Sequence, residues 1–510
     1  MAAQLQKVGE QGPGTLRRRR RGRHVPRSAT LPRVRAGAGK RLITPPVGGP
    51  LVGIPERDLA NGSSAVHDQL YARALVLDNG LVTFALVSVD LFAVSHALTA
   101  EIARRVNART GIPEDNVILV ASHTHSGPSI SKTIVGGEPD GDWLALFISE
   151  TANVVKDAFE SMRPARIGVN VGQCPIVMNR RFGLPDNKTR VDSQESPPRP
   201  VTAEESTDSD LGVVRVSDLG GKTIAVVANY ACRPSTVGKD GAFLISADFP
   251  GVFASLIESA YPGAVALFTN GAAADIVHRQ HIQSGGQTSA GYRDTMLVAE
   301  LLADETLRLI SKVRSRRRVP LSVARKKISM PLDVKKVPAG RAKETKNTFQ
   351  AVSKFEKQVL AGENPDQFLD RSSTRFIAES RWAPAMAEIV RRGKCPRQVE
   401  TSLWAASIGN LVLVTAPGEM YCSSGKEVKK RSAFKHTFVL GYAGGYLGFL
   451  APRDVCEQGG WDVEEAFIYL PDPALPLVPG TVEDTLIDHM LSLARSVVPE
   501  GKSARQVKAQ

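Results

Sequence analysis

Residues Val117 to Pro128, VILVASHTHSGP, tie this chain to a sheet-based fold with chemistry at a strand end. Val117, Ile118 and Val120 are β-branched, which suits a pleated surface, and with Leu119 they read as a buried strand. Ala121 and Ser122 follow, then two histidines separated by a single residue, then the turn residues Ser126, Gly127 and Pro128. In an extended backbone, side chains at i and i+2 point to the same side. His123 and His125 are therefore expected to project together from the end of a buried strand, aimed at one metal ion or at one metal and its substrate. The plainer reading is a pair of histidines hydrogen-bonded within a loop.

The same apolar-then-turn pattern recurs along the chain. Leu70 to Leu77 and Val82 to Val89 flank Asp78-Asn79-Gly80, which is a hairpin signal. Val213 to Val216 and Thr223 to Asn229 flank Gly220-Gly221, and Leu403 to Ile408 and Leu411 to Thr415 flank Gly409-Asn410. Lys40 to Gly49 reads as a short strand stopped by two prolines, Ala165 to Val171 and Ala264 to Phe268 as further strands, and His436 to Tyr442 as another. Helical spacing marks Ser95 to Thr110, Asp142 to Arg163, Val252 to Ala260, Gly291 to Lys312 and Val482 to Val498. Leu321 to Val323 and Ile328 to Leu332 read as two short strands in a basic stretch, and Lys343 to Arg392 as helix with breaks. Pro185 to Asp210 is a long polar loop able to lie over a site. Strands and helices alternate without repeats or linkers. The expected architecture is α/β: one large mixed domain, with β-sheets flanked by helices.

Charge is distributed unevenly. Residues 1–40 hold eleven Lys or Arg against Glu10 alone, a local +10 that leaves about +3 of the chain's +13 for the rest. The folded part is thus nearly balanced and carries no nucleic-acid signal. Segment 1–36 is expected to be a disordered basic head, and 37–505 a single folded domain. The head has no apolar centre of a secretory signal, which points to a cytoplasmic location. A transit peptide, a nucleic-acid or membrane-surface tail, a misplaced start codon and a tail without function all stay open. The five scattered cysteines lack CxxC spacing and suggest neither a disulfide framework nor a thiolate zinc site. Asp90 interrupts the longest apolar stretch, Leu81 to Leu98, so no transmembrane segment is expected.

Several strands end in polar or glycine-rich turns: His123/His125, Asn229 to Arg233, Asn270 to Asp275, Glu419, and Tyr442 to Phe449. Sites in α/β sheets gather at strand ends, so these loops are expected to converge. Glu419 follows Pro417-Gly418 at the expected start of a helix, where the dipole keeps a carboxylate ionised. Histidine plus glutamate with an open position describes a hydrolytic zinc site. Taken singly, Glu419 is an ordinary first-turn acid, and Asp248 and Asp275 are ordinary turn-capping acids.

The blocks ITPP (Ile43 to Pro46), VHDQLYARALVLDNG (Val66 to Gly80), ASHTHSGP, MNRR (Met178 to Arg181), NYACRP, SADFPG (Ser246 to Gly251), NGAAAD, APGE and GYAGGYLGFLAPRD occur in that order. With them, the chain from about Ala36 to its last helix resembles the catalytic domain of the neutral/alkaline, non-lysosomal ceramidase family. The immunoglobulin-like C-terminal domain of the longer members is not expected here. The resemblance implies a zinc amidase that cleaves N-acylsphingosine or a related lipid amide. It implies His123 and Glu419 as zinc ligands, His125 as a neighbour that binds or protonates substrate, and Arg180 as a substrate contact.

Departures from that pattern are chemically specific. Arg233 stands where the family has a zinc-ligand histidine, and a guanidinium cannot ligate zinc. Phe449 stands at the liganding tyrosine, Trp461 at a further catalytic tyrosine, and Val277 at a serine or asparagine. Three readings follow. Either His278, His281 or Asp248 replaces the lost ligands, or Arg233 takes over the electrostatic role of the cation, or the chain is a metal-free member that binds a ligand or partner without hydrolysis.

Overall fold

The computed structural model describes residues 33–54, 62–131, 138–183, 189–191, 207–238, 241–279, 291–336, 371–470 and 475–499. Strand β1 spans Arg35–Leu42, β2 Tyr71–Asp78 and β3 Thr83–Val89, followed by helix α1 (His96–Thr110), β4 (Val117–Ala121) and helix α2 (Gly141–Glu160). Next come β5 (Arg163–Gln173), β6 (Asp210–Asp218), β7 (Thr223–Tyr230), α3 (Asp248–Ala260), β8 (Val265–Asn270) and α4 (Tyr292–Ser311). Then follow β9 (Leu321–Pro331), β10 (Gln398–Ile408), β11 (Leu411–Thr415), α5 (Cys422–Arg431), β12 (His436–Leu440) and α6 (Ile487–Ser496).

Strands β1 to β8 make one sheet in the order β8-β7-β6-β5-β1-β2-β3-β4, and β9 to β12 make a second in sequence order. Three pairs are parallel: β3 with β4, β7 with β8, and β11 with β12. Each is joined by a helix (α1, α3 and α5), because a parallel pair needs a crossover. The three expected hairpins form as antiparallel pairs β2/β3, β6/β7 and β10/β11.

Alternation of side chains along the strands builds the core. Leu75, Leu77, Phe84, Leu86, Ile118, Val120, Val214, Val216, Val227 and Leu267 point inward, against Trp404, Ala406, Ile408, Leu411, Leu413 and Phe438 of the second sheet. The intervening residues face helices. Ala74, Val87 and Leu119 pack against Ile102, Val106, Phe147 and Val155 of α1 and α2. Val213, Val226 and Phe268 pack on Phe253, Ile257 and Leu302 of α3 and α4. On the far side of the second sheet, Leu403, Val412 and Val439 pack on Val428 of α5 and on Met490 and Leu491 of α6. The large sheet also curls over its inner face: the Ser88 hydroxyl in β3 donates to the Phe268 carbonyl in β8 at 2.6 Å, although β8 is an edge strand far from β3 in sheet order.

The mixed α/β architecture with helices on the outer faces of β-sheets is as expected. The described residues fall in one compact unit, Pro32–Gln510. Some boundaries move. The first strand starts at Arg35 and not at Lys40, so an edge at residues 36/37 cuts through β1. The two runs at 321–323 and 328–332 are one strand, β9. Arg325, Lys326 and Lys327 do not break it because β9 is an edge strand with room for charge, and Arg325 lies 4.8 Å from the Trp404 ring centre. The basic head up to residue 32, most of the 185–210 loop and the first part of the 343–392 segment lie outside the described residues. No helix among the described residues is long and apolar enough to cross a membrane.

Candidate functional site

The residues singled out in the sequence leave the carboxyl ends of the parallel pairs. His123 follows β4, Arg233 follows β7, Glu419 follows β11, and the Tyr442–Phe449 turn follows β12. Parallel neighbours place such ends side by side. The closure of the large sheet then brings its two edges together at this end. Asn270, the last residue of β8, is fully buried and ties three loops at once. Its amide nitrogen donates to the carbonyls of Ser122 (3.2 Å) and Cys232 (3.0 Å), and its backbone carbonyl accepts from Gly441 N–H (3.0 Å).

The histidine turn is pinned by its neighbours: Ser122 N–H donates to Val89 and His123 N–H to Leu91, both at 2.9 Å, while Ala121 N–H donates to Tyr442 at 3.1 Å. The chain has already left extended geometry here, since His123 has φ 70. The pleat is therefore not what aligns the two imidazoles, contrary to expectation. A left-handed residue held by two flanking segments does it, and the rings sit 4.9 Å apart, edge to face. The His123 Nδ1 lies 2.8 Å from the Phe92 carbonyl and the His125 Nδ1 2.7 Å from the Gly53 carbonyl. A carbonyl only accepts, so each Nδ1 carries the proton and each neutral ring keeps Nε2 as its acceptor.

Glu419 meets both histidine and arginine. Its Oε2 is 3.4 Å from His123 Nε2 and accepts from Arg233 Nη1 at 2.7 Å. Its Oε1 accepts from the Tyr446 hydroxyl at 2.6 Å. Glu419 is not in the first turn of a helix as expected. It pairs in a two-residue parallel bridge with Phe449, and α5 begins only at Cys422. Its ionisation has another cause: burial pushes the carboxyl up, but the charge of Arg233 holds it well below the usual carboxylate range, helped by the hydrogen bond from Tyr446. Burial works against the charge on Arg233, and Glu419 more than offsets it. Burial lowers His123, and burial with the nearby Arg233 charge lowers His125 further, so both stay neutral.

Arg180 reaches the same region. Its Cζ and that of Arg233 each lie 5.9 Å from the centre of the Phe449 ring. Phe449 and Trp461, which stand where tyrosines were expected, are in contact with ring centres 6.2 Å apart. Asp248 is not at the site. Its carboxylate is spent on Thr236, through the backbone N–H at 2.9 Å and the hydroxyl at 2.5 Å. Asp275 accepts from Cys422 N–H and from Asn179. His281 lies outside the described residues. The residue missed in the sequence is Tyr446. The signal was the pair Tyr442/Tyr446 spaced inside a glycine-rich turn, where Tyr442 stacks on His123 with ring centres 3.9 Å apart.

His123 Nε2 and Glu419 Oε2 are separated as two ligands of one tetrahedral zinc would be, about 3.3–3.5 Å. The rest of the donor set does not fit the ion. Arg233 already puts a positive charge 2.7 Å from that carboxylate oxygen. Among the described residues no group of three or more His, Cys, Asp or Glu is placed to hold a metal. The expected zinc site is thus not built by these residues: the place beside Glu419 belongs to a guanidinium.

Residues 35–277 match the family described as neutral/alkaline non-lysosomal ceramidase, N-terminal. Among solved structures, the chain is similar to neutral ceramidase from Pseudomonas aeruginosa, with a TM-score of 0.65 at 16% identity over 93% of this chain and 76% of that one. A ceramidase complexed with C2 matches equally well, at TM-score 0.65 and 16% identity, over 93% of this chain and 77% of that one. These likenesses establish the fold.

Proposed function

We propose, from the match of residues 35–277 to the neutral/alkaline non-lysosomal ceramidase family, that this chain is a ceramidase-like hydrolase of lipid amides in which the guanidinium of Arg233 stands in for a metal. The observation that carries the reading is the buried Arg233–Glu419 pair at 2.7 Å, with the His123 acceptor beside it. Zinc-activated water, the chemistry the family resemblance implies, is set aside because the donor set among the described residues lacks ligands.

In this reading Arg233 polarises the amide carbonyl and steadies the oxyanion that forms when water attacks, while Arg180 contacts the substrate. His125, neutral and oriented through Gly53, accepts the proton of that water and returns one to the departing amine. Glu419 is too firmly ionised to act as a base; it fixes Arg233 and, with Tyr446, holds the pocket's charge in place. His123 maintains the wall of the site through Phe92 and Tyr442.

Metal analysis combined with hydrolysis of a fluorescent ceramide tests the proposal. Turnover by protein free of stoichiometric zinc is expected, insensitive to chelator. Arg233→His, which removes the guanidinium and adds a third donor, is expected to bind zinc more tightly than the parent. Stoichiometric zinc in the parent, or no gain in Arg233→His, would refute the assignment of Arg233. Tight binding of lipid amides without turnover would favour a binding protein instead.

A further inference from the structure

Arg180 is placed by backbone, with no ion pair among the described residues. It follows the short strand Val177–Asn179, its N–H donates to the Asp275 carbonyl at 2.8 Å, and its Nε donates to the Ala274 carbonyl at 2.9 Å. The residue is 6% exposed, and its buried Nη2 has no hydrogen-bond partner among the described residues. A buried guanidinium donor left unpaired is costly, and such groups usually mark a missing partner. The surrounding carboxylates are committed elsewhere. Asp275 takes Cys422 N–H and Asn179, Asp462 takes Arg181 at 2.7 Å, and Glu419 takes Arg233 and Tyr446. Burial, and next the Arg233 charge, lower the pKa of Arg180, which is the signature of a cation short of a counter-ion.

We propose that Arg180 receives a carboxylate carried by the substrate, so that the amide cleaved is an N-acyl amino acid. This rests on the amidase reading and names its substrate class. One unpaired donor nitrogen calls for a monoanion, and a guanidinium is the side chain best suited to a carboxylate. Arg233, whose Cζ is also 5.9 Å from the Phe449 ring centre, then faces the amide carbonyl. The reaction balances as a hydrolysis: the oxygen of water joins the acyl carbon, the C–N bond breaks, the nitrogen takes a proton, and a fatty acid and an amino acid leave.

Calorimetric titration of the full chain with N-octanoylglycine, octanoate and the neutral N-octanoylethanolamine tests the proposal without turnover. N-octanoylglycine is expected to bind at least about tenfold more tightly than the ethanolamide, the effect of one charge-assisted hydrogen bond. Arg180→Gln is expected to abolish that preference and Arg180→Lys to restore part of it. Should Arg180→Gln fail to fold, the three probes on the parent chain still decide. Equal affinity for the acid and the neutral amide overturns the proposal. Octanoate binding as tightly as N-octanoylglycine also overturns it, since the carboxylate would then belong to the acyl product. Absence of the preference in the parent chain refutes the carboxylate site, whereas absence of ceramide hydrolysis bears only on the amidase reading.

Discussion

Replacing Arg233 by methionine isolates what the guanidinium does for the fold. The side chains of Arg233 and Glu419 are 10% and 2% exposed, so this is a buried pair. Removing one partner of such a pair costs about 3–5 kcal/mol, because the other charge stays in a medium that solvates it poorly. In the variant Glu419 keeps only the Tyr446 hydroxyl at 2.6 Å and His123 Nε2 at 3.4 Å. The pH dependence follows from linkage. In the parent the folded carboxyl lies below its unfolded value, so its stabilisation is present above about pH 4.3 and is lost as pH falls through the folded pKa. Without Arg233, burial dominates and raises the folded pKa above the unfolded one, so stability is lost as pH rises. The stability gap between parent and variant should therefore be widest near neutral pH and should narrow toward about pH 4. Urea denaturation of both proteins across that range measures it. The double variant Arg233→Met/Glu419→Gln should recover most of the loss, because no charge is left stranded. A single-variant loss below about 1 kcal/mol, or a gap that does not change with pH, would refute the electrostatic account of the site.

Tyr446→Phe removes the hydroxyl that donates to Glu419 and should destabilise the protein by about 1.5–3 kcal/mol in urea, the range for a hydrogen bond to a charged group. Gly53 has φ +109, and a Cβ there would lie 2.8 Å from the His125 Cα and 2.9 Å from its ring. Gly53→Ala should therefore displace His125 and suppress amide hydrolysis while the chain still folds by circular dichroism; undiminished turnover would count against His125 as the base. Asp248 is raised from 3.8 to about 6 by burial, against the hydrogen bonds from Thr236. Its folded pKa exceeds the unfolded value, so about 3 kcal/mol of stability should be lost as pH rises through that interval. Asp248→Asn should flatten this part of the urea-measured profile.

Much of this was legible along the chain because local chemistry acts locally. Asp78-Asn79-Gly80 makes its hairpin through turn geometry, and Ser95 and Gly111 bound α1: the Ser95 hydroxyl accepts from Leu98 N–H and Gly111 adopts φ 75. Other features were misread for equally local reasons. The basic stretch was read as two short strands, but an edge strand accommodates its charges, with Arg325 over the Trp404 ring and Lys326 3.0 Å from His489. His123 and His125 looked aligned by the pleat, yet φ at His123 is positive and hydrogen bonds from neighbouring segments align the rings. Glu419 looked like a helix-start carboxylate, whereas its charge is set by a residue far away in sequence, Arg233.

What the sequence determined by itself is the set of strands, the helices that cross over between parallel ones, and which chemical groups stand at the strand ends. These depend on side-chain period and turn propensity, which are properties of neighbours in the chain. Tertiary structure alone decided that Ser122, Cys232 and Gly441 meet on Asn270, that Tyr446 serves Glu419, and that Arg233 pairs with Glu419. The reason is that burial and Coulomb interaction act through space: the charge state of Glu419 and the unpaired donor of Arg180 are set by how the large sheet curls to bring its far edges together.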